Sequence, residues 1–285
     1  MAKQDTLIRW AGGKSWFIPY FQLFTKNLQF NAYYEPFAGG ASIFFSCINN
    51  HKAFLSDLNE ELISAYEVVK HKPKMLIRCM KKMNVSQDDY YYYRDEYVCK
   101  NDVEKAARFL YLNHSSFNGI YRVNSRGEYN VPYGKRDVPY NTEVILTANQ
   151  KLKNASLQKG DFGIWEENIK SKDLVFLDPP YSVSSKRAEN GFIGYNAKLF
   201  SLEDQRRLKS FIDKIVERNA YYILTNAAHP KVEEIFQECG VRIDLSRSCV
   251  IGGRNAQRGR VKEYIFTNIP KEYWGEEDGY IESVN

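Results

Sequence analysis

The chain has 285 residues, 44% of them hydrophobic and 26% charged, with a formal net charge of +5. This balance excludes a disordered polyelectrolyte and suffices for one large folded domain or two modest ones. No run approaches the roughly 18 uninterrupted apolar residues of a membrane helix, and the opening MAKQDTLIRW lacks the apolar core of a secretory signal, so a cytoplasmic protein without membrane association is expected. The 5 cysteines (Cys47, Cys79, Cys99, Cys239, Cys249) form no CxxC pair, and the 4 histidines (His51, His71, His114, His229) show no HExxH spacing. That argues against a disulfide framework and against a bound metal.

Taken in chain order, short apolar segments rich in aromatic and β-branched residues predict buried strands at 32–37, 53–56, 174–177 and 221–225. Helical patterns lie between them. The clearest begins at Ser201, whose hydroxyl suits the cap position, and sets Leu208, Phe211, Ile212 and Ile215 on one face. Strands alternating with helices predict an α/β open sheet that binds ligands beyond its strand C-termini. Residues 70–140 break the rhythm. Helical patterns at 75–83, 86–99 and 103–116 follow one another without a strand, and then 120–124, a Ser125-Arg126-Gly127 turn and 128–132 read as a β-hairpin. This stretch is expected to be a smaller module inserted into the α/β domain, the alternative being a long crossover within one core. Two basic runs contain no acid: 70–82, with Lys70, Lys72, Lys74, Arg78, Lys81 and Lys82, and 245–262, with Arg247, Arg254, Arg258, Arg260 and Lys262. Each reads as a solvated face or as a polyanion contact. Residues 271–285 form an acidic tail.

Three motifs carry chemistry. Gly12-Gly13-Lys14-Ser15 matches the end of a phosphate-binding loop, but the glycine required five positions before Gly13 is Ile8, so a nucleotide triphosphatase is disfavoured. Lys14 remains suited to anchor a carboxylate. In Glu35-Pro36-Phe37-Ala38-Gly39-Gly40 a strand runs into a glycine turn and an apolar helix start, which brings backbone N–H groups close to a bulky ligand. A dinucleotide GxGxxG is absent. About 20 residues later Asp57, at the next strand tip, is placed to accept from ribose hydroxyls.

The most informative tetrapeptide is Asp178-Pro179-Pro180-Tyr181, directly after the apolar strand 174–177. Adenine N6 is a poor nucleophile because its lone pair is delocalised into the ring. An enzyme that alkylates it must place acceptors on the N6 hydrogens and stabilise the positive charge that grows as the methyl arrives. The Asp178 carboxylate and a backbone carbonyl held outward by Pro179 and Pro180 supply two acceptors, and Tyr181 supplies a ring to stack on the base. The plainer alternative is a strand stopped by two prolines.

Six strings in this order resemble the DNA adenine methylase (Dam) family of S-adenosylmethionine-dependent methyltransferases, over most of the chain. They are Arg9 to Lys14, Glu35 to Gly40, Asp57-Leu58-Asn59, Gly160-Asp161-Phe162, Asp178 to Tyr181 and, before the last two, Asn118-Gly119-Ile120-Tyr121-Arg122-Val123-Asn124 with Glu128 to Gly134. The resemblance implies a Rossmann-like class I methyltransferase sheet, with a catalytic domain at 1–69 and 141–270 and an inserted helical target-recognition domain carrying the hairpin at 70–140. It implies S-adenosylmethionine contacts from Trp10, Lys14, Asp57 and Asp178, the turn Pro36, Phe37, Ala38, Gly39 and Gly40 beneath the amino-acid part, and Asp161 and Phe162 holding the cofactor's adenine.

The resemblance also implies DNA contacts from Arg9, Phe117, Asn118, Ile120, Arg122, Asn124, Asn130, Pro132 and Lys135. Arg9 stands where the family has lysine, and either side chain reads guanine. Arginine suits bidentate bonding to guanine, Ile120 and Pro132 suit a thymine methyl, and Phe117 suits insertion where the target base leaves the stack. The expected activity is methylation of a flipped adenine in double-stranded DNA within GATC. That site is its own complement, so a monomer can act on the two strands in separate encounters. A C5-cytosine enzyme would need a Pro-Cys dipeptide, and none is present. An enzyme acting on RNA or on cytosine N4, or a DNA-binding protein without catalysis, are the rivals. The glycine-containing segment 182–197 is expected to act as a lid, the alternative being a static surface loop.

Overall fold

In a computed structural model the described residues are 6–136, 138–180, 200–248, 260–276 and 283–284. Among them the strands are β1 (Ala32–Glu35), β2 (Lys52–Asp57), β3 (Ala155–Lys159), β4 (Leu174–Leu177), β5 (Tyr221–Ala227), β6 (Val241–Ser248), β7 (Arg260–Thr267) and β8 (Ser283–Val284). The α-helices are α1 (Ile18–Phe24), α2 (Ser42–Cys47), α3 (Glu60–His71), α4 (Pro73–Met80), α5 (Gln87–Tyr91), α6 (Asp102–Ser115), α7 (Glu143–Leu152), α8 (Leu202–Glu217) and α9 (Pro230–Phe236). This mixed α/β content is consistent with a class I methyltransferase fold. No helix among the described residues is long and apolar enough to cross a membrane. The chain divides into two compact units, Met1–Ile18 with Ala38–Asp161, and Pro19–Phe37 with Phe162–Asn285.

In the first unit β2 and β3 pair in parallel, from Ala53 opposite Ala155 to Asp57 opposite Lys159. Helix α3 starts immediately after β2 because Asn59 caps it, its Oδ1 accepting from the Leu62 N–H at 3.0 Å. Its apolar positions Leu62, Ile63, Tyr66 and Val69 are buried, and it packs against α6 and α7. Helices α4, α5 and α6 follow without an intervening strand, in keeping with the periodicity. The pattern at 86–99 is interrupted, however: α5 ends at Tyr91 and passes into a π-helical turn at Tyr92–Glu96. Arg108 of α6 takes the Tyr93 and Arg94 carbonyls at 2.6 and 2.7 Å, which holds that turn off the regular helical ladder.

The run Tyr90-Tyr91-Tyr92-Tyr93 has a packing explanation at its first member. Tyr90 is fully buried in a small core with Tyr111, Leu112, Tyr129 and Val131, its hydroxyl donating to the Val131 carbonyl at 2.8 Å. Between 120 and 133 the chain doubles back through Gly127 N–H to Asn124 C=O, Asn124 N–H to Glu128 C=O and Asn130 N–H to Arg122 C=O. An antiparallel bridge at Val123–Tyr129 lies between its arms, and a second, Ser116–Tyr133, ties its end to the residue after α6. The segment thus returns on itself with one bridge between its arms and no extended ladder.

The second unit carries strands in the order β1-β4-β5-β7-β6-β8. β1, β4 and β5 run parallel, while β7, β6 and β8 pair antiparallel. All four side chains of β4 are buried, the mark of a parallel strand covered on both faces. Two strand ends move by two residues, and β2 gains one residue at each end. β1 stops at Glu35, before Pro36, which has no N–H to give the ladder. β5 runs on to Ala227 because β7 pairs with Asn226 and Ala227 beyond the point where the β4 register ends at Leu224.

Helix α8 begins where Ser201 predicts, and Leu208, Phe211, Ile212 and Ile215 are all buried. A capping box closes its first turn: the Asp204 N–H donates to Ser201 Oγ at 3.1 Å, and the Ser201 N–H donates to Asp204 Oδ2 at 2.9 Å. Ser201→Ala should therefore lower stability by about 1 kcal/mol in urea unfolding, whereas Ser201→Asp, which keeps an acceptor at the cap, should recover most of the loss.

Candidate active site

In the first unit the tip of β2 organises the glycine turn. Asp57 Oδ2 accepts from the Gly39 N–H and Oδ1 from the Asn59 N–H, each at 2.9 Å. The Ala38 N–H donates to the Ser56 carbonyl at 2.9 Å, and the Tyr66 hydroxyl donates to the Gly39 carbonyl at 2.6 Å. Gly39 has φ +46°, and a Cβ there would lie 2.7 Å from Trp10 Cδ1. The turn is thus held in a left-handed conformation beneath an indole. Trp10 also stacks on Tyr121, with ring centroids 5.3 Å apart. Lys14 is buried at 4% exposure, its N–H on Ser42 Oγ and its Nζ on the Gly12 carbonyl. Asp161, half-buried, follows Gly160, whose N–H donates to the Asp57 carbonyl at 3.1 Å.

The sequence-predicted DNA residues all lie in the same unit. Arg9 is exposed, and its backbone is clamped by Asn113: the Arg9 N–H donates to Asn113 Oδ1 at 2.9 Å, and Asn113 Nδ2 donates to the Arg9 and Gly119 carbonyls at 2.8 and 3.1 Å. Gly119, at φ +64°, leaves the space that the Arg9 side chain fills, since a Cβ there would sit 2.5 Å from Arg9 Cδ. Phe117, Asn118, Pro132 and Lys135 are exposed, and Ile120 is half-buried. Arg122 donates through Nε and Nη2 to the side-chain and backbone oxygens of Asn130, at 2.7 and 3.1 Å. Asn124 Oδ1 accepts the Arg126 and Glu128 N–H groups and so holds the tip of the returning loop. Asn113 was not singled out by the sequence motifs. Its signal is a polar residue at a buried position near the end of apolar helix α6.

In the second unit Asp178 follows β4 directly, with Pro179 buried and Pro180 exposed. The Thr225 hydroxyl donates to Asp178 Oδ1 at 2.7 Å. Tyr181 and the expected lid at 182–197 lie outside the described residues, as does the 249–259 part of the second basic run. Pro36 is buried. Phe37 stacks on Phe162 at 5.4 Å and meets Phe200 edge-on at 5.7 Å, and the Arg207 guanidinium sits 5.0 Å from the Phe162 ring. Phe162 is 4% exposed. The half-buried Phe37 is consequently the more accessible member of that stacked pair. Among the described residues no group of three or more His, Cys, Asp or Glu is arranged to hold a metal ion.

The model of the D12 class N6 adenine-specific DNA methyltransferases matches residues 10–246. The chain belongs to this family. It is an adenine-specific DNA methyltransferase. It is 33% identical over 272 residues to the type II methyltransferase M1.LlaDCHI of Lactococcus lactis subsp. cremoris, covering 91% of this chain and 94% of that protein. It is 34% identical over 242 residues to the type II methyltransferase M.MjaIII of Methanocaldococcus jannaschii, covering 77% and 83%. It is 29% identical to the DNA adenine methylase of Escherichia coli strain K12, covering 93% and 95%.

Two predictions follow from the geometry of the methyltransferase's glycine turn. Gly39→Ala should cost more than the roughly 1–2 kcal/mol of a left-handed alanine, because the new methyl meets the Trp10 ring. Adding Trp10→Ala should remove the steric excess and leave the backbone part, as urea unfolding of the four-member cycle would read. Burial pushes the Asp57 carboxyl above its ordinary value, against the lowering effect of the Asn59, Gly39 and Leu58 N–H groups. A carboxyl that holds its proton more tightly when folded adds stability as pH falls through its folded pKa and loses it as pH rises. The urea midpoint of the wild type should therefore rise relative to Asp57→Asn as pH is lowered from neutral toward the ordinary aspartate pKa of about 4.

Proposed function

We propose that this methyltransferase takes its methyl from S-adenosylmethionine and places it on N6 of an adenine turned out of duplex DNA, within GATC. The observation that carries the reading is the carboxylate at the tip of β4: Asp178, fixed at 2.7 Å by a buried hydroxyl and followed at once by two prolines. When bound, S-adenosylmethionine supplies a methyl group on a positively charged sulfur, open to direct displacement. The first unit's residues fit such a ligand. A side-chain-free turn at Gly39 and Gly40 lies under Trp10, and the Asp57 carboxylate at the adjoining strand tip suits ribose hydroxyls. Trp10, Lys14, Asp57 and residues 36–40 would hold the cofactor, with Asp161 and the Phe37–Phe162 pair at its adenine.

Asp178 accepts from the N6 hydrogens and offsets the charge that grows on that nitrogen. A carbonyl of the Pro179-Pro180 turn is the second acceptor, and Tyr181 stacks on the base. Residues 1–69 and 141–270 form the catalytic domain, 70–140 the target-recognition domain, and 271–285 an acidic tail. In the recognition domain Phe117 enters the gap left by the flipped base. Arg9 reads the first guanine, Ile120 and Pro132 meet the thymine methyl, and Arg122 reads the guanine opposite the final cytosine. Asn118, Asn124 and Lys135 contact the DNA beside them, and Asn130 acts through the bond that orients Arg122. The protein works as a cytoplasmic monomer, one strand at a time.

Plasmid DNA from cells making the protein should resist a GATC nuclease blocked by adenine methylation and become sensitive to one that requires it. Full sensitivity to the blocked nuclease would overturn the target. Arg122→Ala should cost about 1–3 kcal/mol of discrimination at the last base pair, with Asn130→Ala relaxing the same position less. Lys135→Ala should weaken binding to all DNA alike and flatten its salt dependence. Methylation at a longer site beginning GAT would remove the assignment of Arg122.

A further inference from the structure

Thr225 lies in β5 with no exposed surface. The parallel register sets Leu177 of β4 opposite Leu224 of β5, so the next residues on each strand, Asp178 and Thr225, come level at the end of the paired segment. The Thr225 hydroxyl has two acceptors in reach, Asp178 Oδ1 at 2.7 Å and the Leu177 carbonyl at 3.4 Å. The shorter contact, to a carboxylate, is the stronger bond. The following residue is fixed as well. Asn226 Nδ2 donates to Gln205 Oε1 of α8 at 2.9 Å, with both side chains fully buried, and Asn226 Oδ1 accepts the Ala227 N–H. Thr225 thus stands on a rigid stretch of strand.

A hydroxyl buried among apolar strand residues is costly unless it has a partner, and here the partner is the carboxylate of the Asp178-Pro179-Pro180 turn. The terminal torsion of an aspartate is intrinsically broad, so a short bond to Oδ1 favours one plane for the carboxylate. We propose that Thr225 is a positioning residue for methyl transfer, its hydroxyl fixing the Asp178 carboxylate in the orientation that meets the N6 hydrogens. This rests on the proposed role of Asp178. It assigns to the β5 tip a function that the strand's own sequence does not announce.

The test compares two substitutions that divide the side chain differently. Thr225→Val keeps the shape and loses the hydroxyl, whereas Thr225→Ser keeps the hydroxyl and loses the methyl. Thr225→Val should slow single-turnover methylation of a cognate duplex about 10- to 100-fold, the effect of losing a hydrogen bond to a charged group. KM for DNA should remain near the wild-type value. Thr225→Ser should restore the rate to within a few-fold. Folding is checked by urea unfolding and by DNA affinity on the same preparations.

A wild-type rate for Thr225→Val, or a Ser variant as slow as the Val variant, would overturn the proposal. Asp178→Ala is run beside them. If it is slowed on the order of 100- to 1,000-fold while Thr225→Val is normal, the inference about Thr225 fails and the role of Asp178 stands. If Asp178→Ala methylates normally, both fail.

Discussion

Asp57 is a partly buried carboxylate that spends both oxygens on backbone N–H groups, Gly39 on one side and Asn59 on the other. Burying that charge is unfavourable, as the upward push on its pKa shows, and only donors fixed by the backbone offset the cost. The consequence spreads through the first unit. Gly39 is held in the left-handed turn over which Trp10 packs, and the Asn59 end sets the start of α3. The Asp57 main-chain carbonyl takes the Gly160 N–H, which fixes the chain just before Asp161. A group suited to a ligand's hydroxyls is therefore already a structural hub, and the same residue sets the shape of the turn and its polarity.

The second unit follows a related logic at β4. A strand buried on both faces leaves no choice about where its first polar side chain goes, and Asp178 emerges at the strand's end, where the β5 neighbour supplies Thr225. The aromatic group of Phe37, Phe162 and Phe200 is built in the same way, from residues that follow strands or precede α8. Rigid strands with polar groups at their ends give precise placement, whereas the loops of the first unit around Arg9, Phe117 and Lys135 carry exposed side chains. Those loops are braced at two points: Asn113 joins Arg9 to Gly119, and Asn130 orients Arg122. In both places an asparagine amide substitutes for the regular ladder that the loops lack.

How far this was legible in the sequence depends on the range of the forces involved. β4, the capped start of α8 and the strand-free helical run after α4 are local matters of periodicity and capping, and they were readable directly. The Asp178 turn and the glycine turn were readable because their residue types are chemically narrow. The end of β5 was not, since pairing with a strand more than thirty residues further on extends it, whereas the end of β1 at Pro36 is itself a local signal. The π-helical turn at Tyr92–Glu96 depends on Arg108 reaching back from α6.

By itself the sequence determined the mixed α/β class, the family and the order of the motifs, because these follow from short-range pattern and from residue chemistry. Tertiary structure alone decided which partner each polar group has: Asn113 for Arg9, Asn130 for Arg122, Tyr66 for the Gly39 carbonyl, Thr225 for Asp178. Three of these bonds join residues distant in the chain or on neighbouring strands, and the Asn130–Arg122 bond closes across the returning loop. Hydrophobic periodicity is blind to such pairings, since it records which face is buried and not which hydrogen bonds burial then demands.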